Sequence, residues 1–134
     1  MTNQPIIFNL SDAPTRPMRL DRGTQTLLFG EQNGAKNVDV HINAINADSG
    51  SGPYHYHERA ENVYIVLEGS VEVVVEGKRY ILGKDDVAFI PPGLKHSAGA
   101  TGGAPARALE IYAPVGVDFN IVDDPTEIVD GQRS

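Results

Sequence analysis

His55 and His57 sit one residue apart in the run Gly52-Pro53-Tyr54-His55-Tyr56-His57-Glu58-Arg59-Ala60-Glu61-Asn62. Side chains two apart on a β-strand leave the same face, so this spacing aims two imidazoles into one space. Neutral imidazole is the commonest side-chain ligand of transition metals. The chain has four histidines and no cysteine. Disulfides, thiolate zinc sites and cysteine nucleophiles are therefore excluded, and any metal must be held by nitrogen and oxygen. Of the other two histidines, His41 shares a face with Asp39 and Asn43 in an alternating segment, where a solvated or hydrogen-bonded role is expected. His96 follows Pro91-Pro92-Gly93, a tight turn.

The elements that must carry these residues are short strands. Val38 to Ile45 alternates apolar and polar residues, the period of a half-buried strand. Asn62 to Leu67 is β-branched and aromatic. Ser70 to Val75 alternates again and runs into a hairpin turn at Glu76-Gly77-Lys78, from which Arg79 to Leu82 returns. The valine-rich Ser70 to Val75 face is expected in the core and at an interface. Val87 to Ile90, His96 to Gly99 and Ala106 to Tyr112 complete the set, with a loop at Thr101 to Pro105. Ile6 to Asn9 and Thr24 to Phe29 are candidate edge strands. No long stretch has a helical period, and fourteen glycines and nine prolines favour turns over helix. This pattern predicts an all-β sandwich or barrel.

With 134 residues the chain fits a single domain, 1–134, with one core. Its barrel is expected over about 38–113, with an N-terminal arm over 1–30 and an acidic tail over 114–134. The formal net charge of −7 disfavours nucleic acid and anionic membranes as partners. No apolar run is long enough to span a bilayer. Met1 to Leu10 lacks the basic start and apolar core of a signal peptide, so a cytoplasmic protein is expected.

Two motifs carry a family resemblance. His55-Tyr56-His57, followed by Glu61-Asn62-Val63-Tyr64-Ile65-Val66-Leu67-Glu68-Gly69, resembles the first motif of the cupins. Asp85-Asp86-Val87-Ala88-Phe89-Ile90-Pro91-Pro92-Gly93-Leu94-Lys95-His96 resembles the second. The short gap between them is that of small single-domain cupins, and the likeness covers roughly 38 to 113. Asp85 stands where the second motif usually opens with glycine, and Ala100 where an asparagine is usual. The resemblance implies a jelly-roll, or double-stranded β-helix, barrel. It also implies a metal held by two histidines, a glutamate and a third histidine, with His55, His57 and His96 matching the histidine positions. The reversal at Pro91-Pro92-Gly93 agrees, because it can bring His96 opposite the pair.

The fourth position has two candidates. Three residues separate His57 from Glu61. Counting back from Gly69 reaches Asn62 instead, and strand register makes that the weightier count. In that phase Asn62, Tyr64 and Val66 face the site, while Val63, Ile65 and Leu67 face away; a bulge would restore Glu61. With Asn62, a divalent ion keeps its full charge and should favour a carboxylate or enolate. Such ligands suit Fe, Mn, Ni, Cu or Zn. Tyr64 is the candidate catalytic residue, being in phase with Asn62, and Tyr54 and Tyr56 are further candidates to line a pocket. Lys95 and Arg107 could orient an anion or be plain surface charges.

Open coordination positions would provide a Lewis acid or a dioxygen site. The expected function is a small metal-dependent enzyme of dioxygenase (oxidoreductase), isomerase or decarboxylase type. Its substrate would be a small oxygenated or anionic organic molecule. The alternative is a non-catalytic module that binds a small ligand. No nucleophile motif or phosphate-binding glycine loop is present. The resemblance suggests a homodimer, and the N-terminal ~25 residues could cross onto a partner to cover an edge strand.

Overall fold

Twelve strands are found in the computed structural model, which describes residues 4–116 and 118–134. They are β1 (Thr15–Pro17), β2 (Gly23–Phe29), β3 (Asp39–Ile45), β4 (His55–Tyr56), β5 (Glu61–Glu68), β6 (Ser70–Val75), β7 (Lys78–Leu82), β8 (Val87–Ile90), β9 (His96–Thr101), β10 (Ala106–Ala113), β11 (Asn120–Ile121) and β12 (Val129–Asp130). Two six-stranded sheets face each other in a jelly roll, ordered β1-β2-β3-β10-β5-β8 and β11-β4-β9-β6-β7-β12. Among the described residues, only β12 joins its neighbour, β7, in parallel. The helical segments among the described residues are three short turns, two of them 3-10 and the third, Arg19–Asp21, left-handed at Leu20 and Asp21. No helix among the described residues is long and apolar enough to cross a membrane.

Alternation decides which side chains enter the barrel. Along β5, Asn62, Tyr64 and Val66 are buried while the residues between them are half-buried. The ladder between β10 and β5 runs unbroken from Ala113–Glu61 to Ala108–Val66, and its irregularity falls at Arg107/Ala108. No bulge therefore rotates Glu61 inward. Along β10 the inward set is Ala106, Ala108, Glu110 and Tyr112, and along β3 it is Ile45, Asn43, His41 and Asp39, directly paired across the ladder. Each strand thus changes from apolar to polar along its length. One end of the barrel packs Met18, Ile45, Val66, Val71, Val73, Leu82, Ile90, Ala106 and Ala108 into an apolar core. The other end collects histidines, amides and a carboxylate.

The hairpin between β6 and β7 turns at Glu76 and Gly77, both at positive φ (48° and 76°). A two-residue turn of this hand matches the twist of its strands. The termini differ from the sequence expectation in detail. Ile6 to Asn9 forms no strand, because the Asn9 side chain instead caps the 3-10 turn at Leu10–Asp12. β1 and β2 extend the first sheet of their own chain beside β3. The acidic tail lies over the surface, where β11 pairs with β4, β12 with β7, and Arg133 grips Asp86 at 2.9 Å.

Candidate metal centre

His55 on β4 is paired directly with His96 on β9, so the reversal after Pro91-Pro92-Gly93 sets the third imidazole opposite the first. His57 lies just beyond β4. All three are buried, and one potential ligand atom from each lies within 4.8 Å of the others. Their hydrogen bonds settle the tautomers. His55 Nδ1 lies 2.8 Å from the Pro53 carbonyl, His57 Nδ1 2.6 Å from the Asp118 carbonyl, and His96 Nδ1 2.9 Å from the Leu94 carbonyl. A carbonyl only accepts, so each Nδ1 carries the proton and each Nε2 keeps a lone pair. All three Nε2 atoms are buried with no hydrogen-bond partner. Orphaned buried acceptors are costly, and a shared cation relieves all three together. Burial, reinforced by the His96 and His57 charges, pushes the His55 pKa down to about 3. Burial likewise lowers that of His96, with the Leu94 hydrogen bond offsetting part of the shift. The residues present therefore fit a divalent transition metal, and the backbone carbonyls would orient its ligands.

The sequence candidates distribute unevenly around this cluster. Asn62 is fully buried; its Nδ2 donates to Glu110 Oε2 at 3.0 Å, which leaves Oδ1 as its unpartnered end. Glu61 is exposed at the first position of β5. Tyr64 is buried and lines the same cavity as His55 and His57. Burial and the neighbouring Glu110 charge raise its pKa well above the usual value, so it is a protonated donor at neutral pH. Tyr54 is buried elsewhere, its hydroxyl accepting from Gly77 N–H at 3.1 Å. Neither Tyr56, Lys95 nor Arg107 lines the cavity. Arg107 pairs at the surface with Glu68, 3.2 Å away.

The cavity, of about 570 Å3, also holds residues that sequence reasoning missed. Glu110 is the largest omission. Its Oε1 accepts from Asn43 Nδ2 at 2.8 Å and lies 3.0 Å from His41 Nε2. His41 Nδ1 in turn lies 2.9 Å from Asp39. Burial alone would lower the His41 pKa, but the hydrogen bonds to Asp39 and Glu110 outweigh it and raise the value to about 9. Burial would raise that of Glu110, yet His41, Asn62 and Tyr64 hold it far below the carboxylate range. The faint signal was an acidic residue in phase with Ala106 and Ala108, on the face opposite Arg107.

The two ends of the chain close the cavity. Asp118 accepts backbone N–H bonds from Glu58, Arg59 and Ala60 at 2.7–2.9 Å, fixing the loop after His57. Phe119 stacks on His55 with centroids 4.0 Å apart, and the Arg19 guanidinium sits 4.3 Å over the Phe119 ring. Arg19 and the cavity-lining Arg22 come from the β1–β2 connection, where Leu20 and Asp21 both have positive φ (59° and 54°). Left-handed backbone costs a residue with a β-carbon roughly 1–3 kcal/mol; here it turns Arg22 inward.

Comparison with known proteins agrees with the two motifs. The cupin domain family Cupin_2 matches residues 44–112. Quercetin 2,3-dioxygenase of Bacillus subtilis is 35% identical over 79 residues, covering 52% of this chain and 23% of that protein. Mannose-1-phosphate guanylyltransferase of Klebsiella pneumoniae is 39% identical over 58 residues, covering 43% of this chain and 12% of that protein. The chain thus spans less than a quarter of the length of these curated relatives. Among solved structures, the polyketide cyclase RemF from Streptomyces resistomycificus superposes with a TM-score of 0.78 at 23% identity, covering 92% of this chain and 89% of that one; this likeness shows the fold alone. On the family match and the barrel together, the chain belongs to the cupins.

Proposed function

We propose that this protein is a small metal-dependent enzyme of dioxygenase, isomerase or decarboxylase type, acting on a small oxygenated or anionic organic molecule. The observation that carries the reading is the set of three Nε2 lone pairs, buried, unpartnered and held in one tautomer by backbone carbonyls. His55, His57 and His96 would hold an Fe, Mn, Ni, Cu or Zn ion, with Asn62 Oδ1 the remaining buried acceptor at the fourth motif position. Bound there, the ion would supply Lewis acidity or an open site for dioxygen or substrate oxygen. Tyr64 would turn its phenolic proton from Glu110 toward a ligand in the cavity. Phe119 and Arg19 cover His55 and limit water on that side. The resemblance to a dioxygenase over 79 residues supports the oxidative variant.

A second reading, capture of a ligand without chemistry, is favoured by one observation. Both oxygens of Glu110 are engaged, and His41 is held between two carboxylates. Neither is free to serve as a general base. The same proposal includes a cytoplasmic homodimer. Val87 and Phe89 are more than half exposed on the edge strand β8, next to the apolar outward residues Val63 and Ile65, and a second copy would cover them.

Metal analysis of protein purified without chelator tests the central claim. Stoichiometric metal is expected, lost in His96→Ala. Added metal at a thousandfold over its Kd should stabilise the wild type by about 4 kcal/mol and leave the variant unmoved. Metal-free protein whose Tm ignores every one of the five ions would sink the reading. Oxygen uptake and product analysis with small acids then separate catalysis from capture.

A further inference from the structure

We propose that Arg22 is a carboxylate anchor, and that the ligand of this cavity is a small organic acid. The inference deepens the proposed function and rests on it for the role of the metal end of the cavity. Arg22 is only 7% exposed. A buried guanidinium is ordinarily paired with a carboxylate, because it cannot shed its proton. Among the described residues no carboxylate lies within 4 Å of Arg22, although seven other ion pairs meet that distance. Its Nε and Nη1 donate to the carbonyls of Arg19 and Ala98 at 3.2 and 3.3 Å, both long, and Nη2 has no acceptor. Arg22 lines the cavity together with His55 and His57. Burial lowers its pKa, with Tyr64 and the Glu110 charge offsetting part of the shift from a distance.

The other carboxylates lining the cavity are committed elsewhere. Glu110 is held by His41, Asn43 and Asn62, Asp39 by His41, and Asp118 by three backbone N–H groups. Glu31 is exposed. The chain also keeps space for the guanidinium. A β-carbon at Gly52 would stand 2.5 Å from Arg22 Nη2. Gly52 lies one residue before Pro53, whose carbonyl orients His55, so Arg22 sits against the segment that positions the first imidazole. A carboxylate can accept two parallel bonds from one guanidinium, and its charge would neutralise the one buried here. An uncharged ligand would leave it without a directly bonded anion.

The competing role is a staple, in which Arg22 merely ties the β1–β2 connection to β9. Titration of metal-free wild type at low salt with acetate, pyruvate and malonate, and with acetamide and malonamide as uncharged controls, separates the two. Saturable binding of the acids but not the amides is expected by calorimetry. Arg22→Gln should weaken it by about tenfold to a hundredfold, the range for a charged hydrogen bond, and Arg22→Lys should recover only part. Gly52→Ala keeps the charge but displaces Nη2, and should weaken binding too; it also serves if Arg22→Gln fails to fold. Equal affinity for acids in the wild type, Arg22→Gln and Gly52→Ala would overturn the anchor, as would failure of every acid to bind in both metal-free and metal-loaded protein. Acids that bind through Arg22 in a protein that takes no metal would leave the anchor standing and remove the metal reading. Metal uptake with acid affinity indifferent to Arg22 would do the reverse.

Discussion

His55 and His41 face one cavity from opposite sheets, on β4 and β3, and the barrel treats them in opposite ways. His55 donates Nδ1–H to a carbonyl and leaves Nε2 bare; burial among other imidazoles holds it neutral, with a pKa near 3. His41 has a carboxylate on each nitrogen and holds its proton to about 9. Burial opposes charge at both sites, so the partners decide the outcome. A histidine whose second nitrogen is left empty is prepared for a cation. One sealed between two acids is itself the cation, and its work is internal. The same barrel therefore contains an unfinished histidine cluster, with bare Nε2 atoms, and a finished one, in which both His41 nitrogens are partnered.

Breaking the finished cluster should have the larger effect on the metal-free protein. Glu110→Gln removes the buried counter-charge of His41 and leaves one acceptor oxygen where His41, Asn43 and Asn62 use two. Loss of one partner from a buried pair costs about 3 kcal/mol or more, and urea unfolding at pH 7 should show it. His55→Gln in the same metal-free protein removes a ring whose Nε2 bonds nothing, and should cost under about 1 kcal/mol. Equal losses for the two variants would erase the distinction between the clusters.

The pH dependence sharpens the contrast. The folded-state pKa of His41 is raised from 6.5 to about 9, so the folded protein binds its proton more tightly than the unfolded chain. The stabilisation is complete below about pH 6.5 and disappears as pH rises through 9, a change of about 3 kcal/mol. Glu110 works in the opposite sense. Its depressed pKa contributes stability above the ordinary carboxylate range that is lost on acidification. Urea midpoints of metal-free protein should therefore fall between pH 6.5 and 9.5, and the fall should flatten in His41→Gln. A wild-type midpoint that is level over that interval would show that His41 is neutral.

Much of the unfinished cluster was legible in the sequence because it is written in local spacing. His55 and His57 share a face by the strand period, and the proline-glycine reversal before His96 supplies the return. The phase of β5 was readable too, since the Gly69 turn fixes which residues point inward. The finished cluster was not legible. Its central contact joins His41 to a residue 69 positions away, and nothing local in Leu109-Glu110-Ile111 says which face of β10 is inside. Arg22 depends on two successive left-handed residues, Leu20 and Asp21, the first of which no propensity favours there. Asp118 and Phe119 lie in a tail read only as surface, yet one fixes the loop after His57 and the other covers His55.

The smallest expected effect bears on the fourth position of the proposed metal site. Glu61 starts β5 exposed, while Asn62, one residue later, is fully buried. Alternation sends adjacent residues to opposite faces, so only one of them can serve the cavity without a bulge, and the β10–β5 ladder is regular at both. Glu61→Ala should leave stability within about 0.5 kcal/mol of wild type, as exposed substitutions do, and leave metal affinity unchanged. Asn62→Ala should weaken metal binding, because it deletes a buried, unpartnered amide oxygen at the fourth motif position and frees Glu110 to shift. If Glu61→Ala were the variant that loses metal, β5 would have to rotate on binding, and the full double charge expected of an ion held by neutral ligands would fall by one. The preference for an anionic ligand would weaken with it, so this pair of variants tests the charge of the site as well as its geometry.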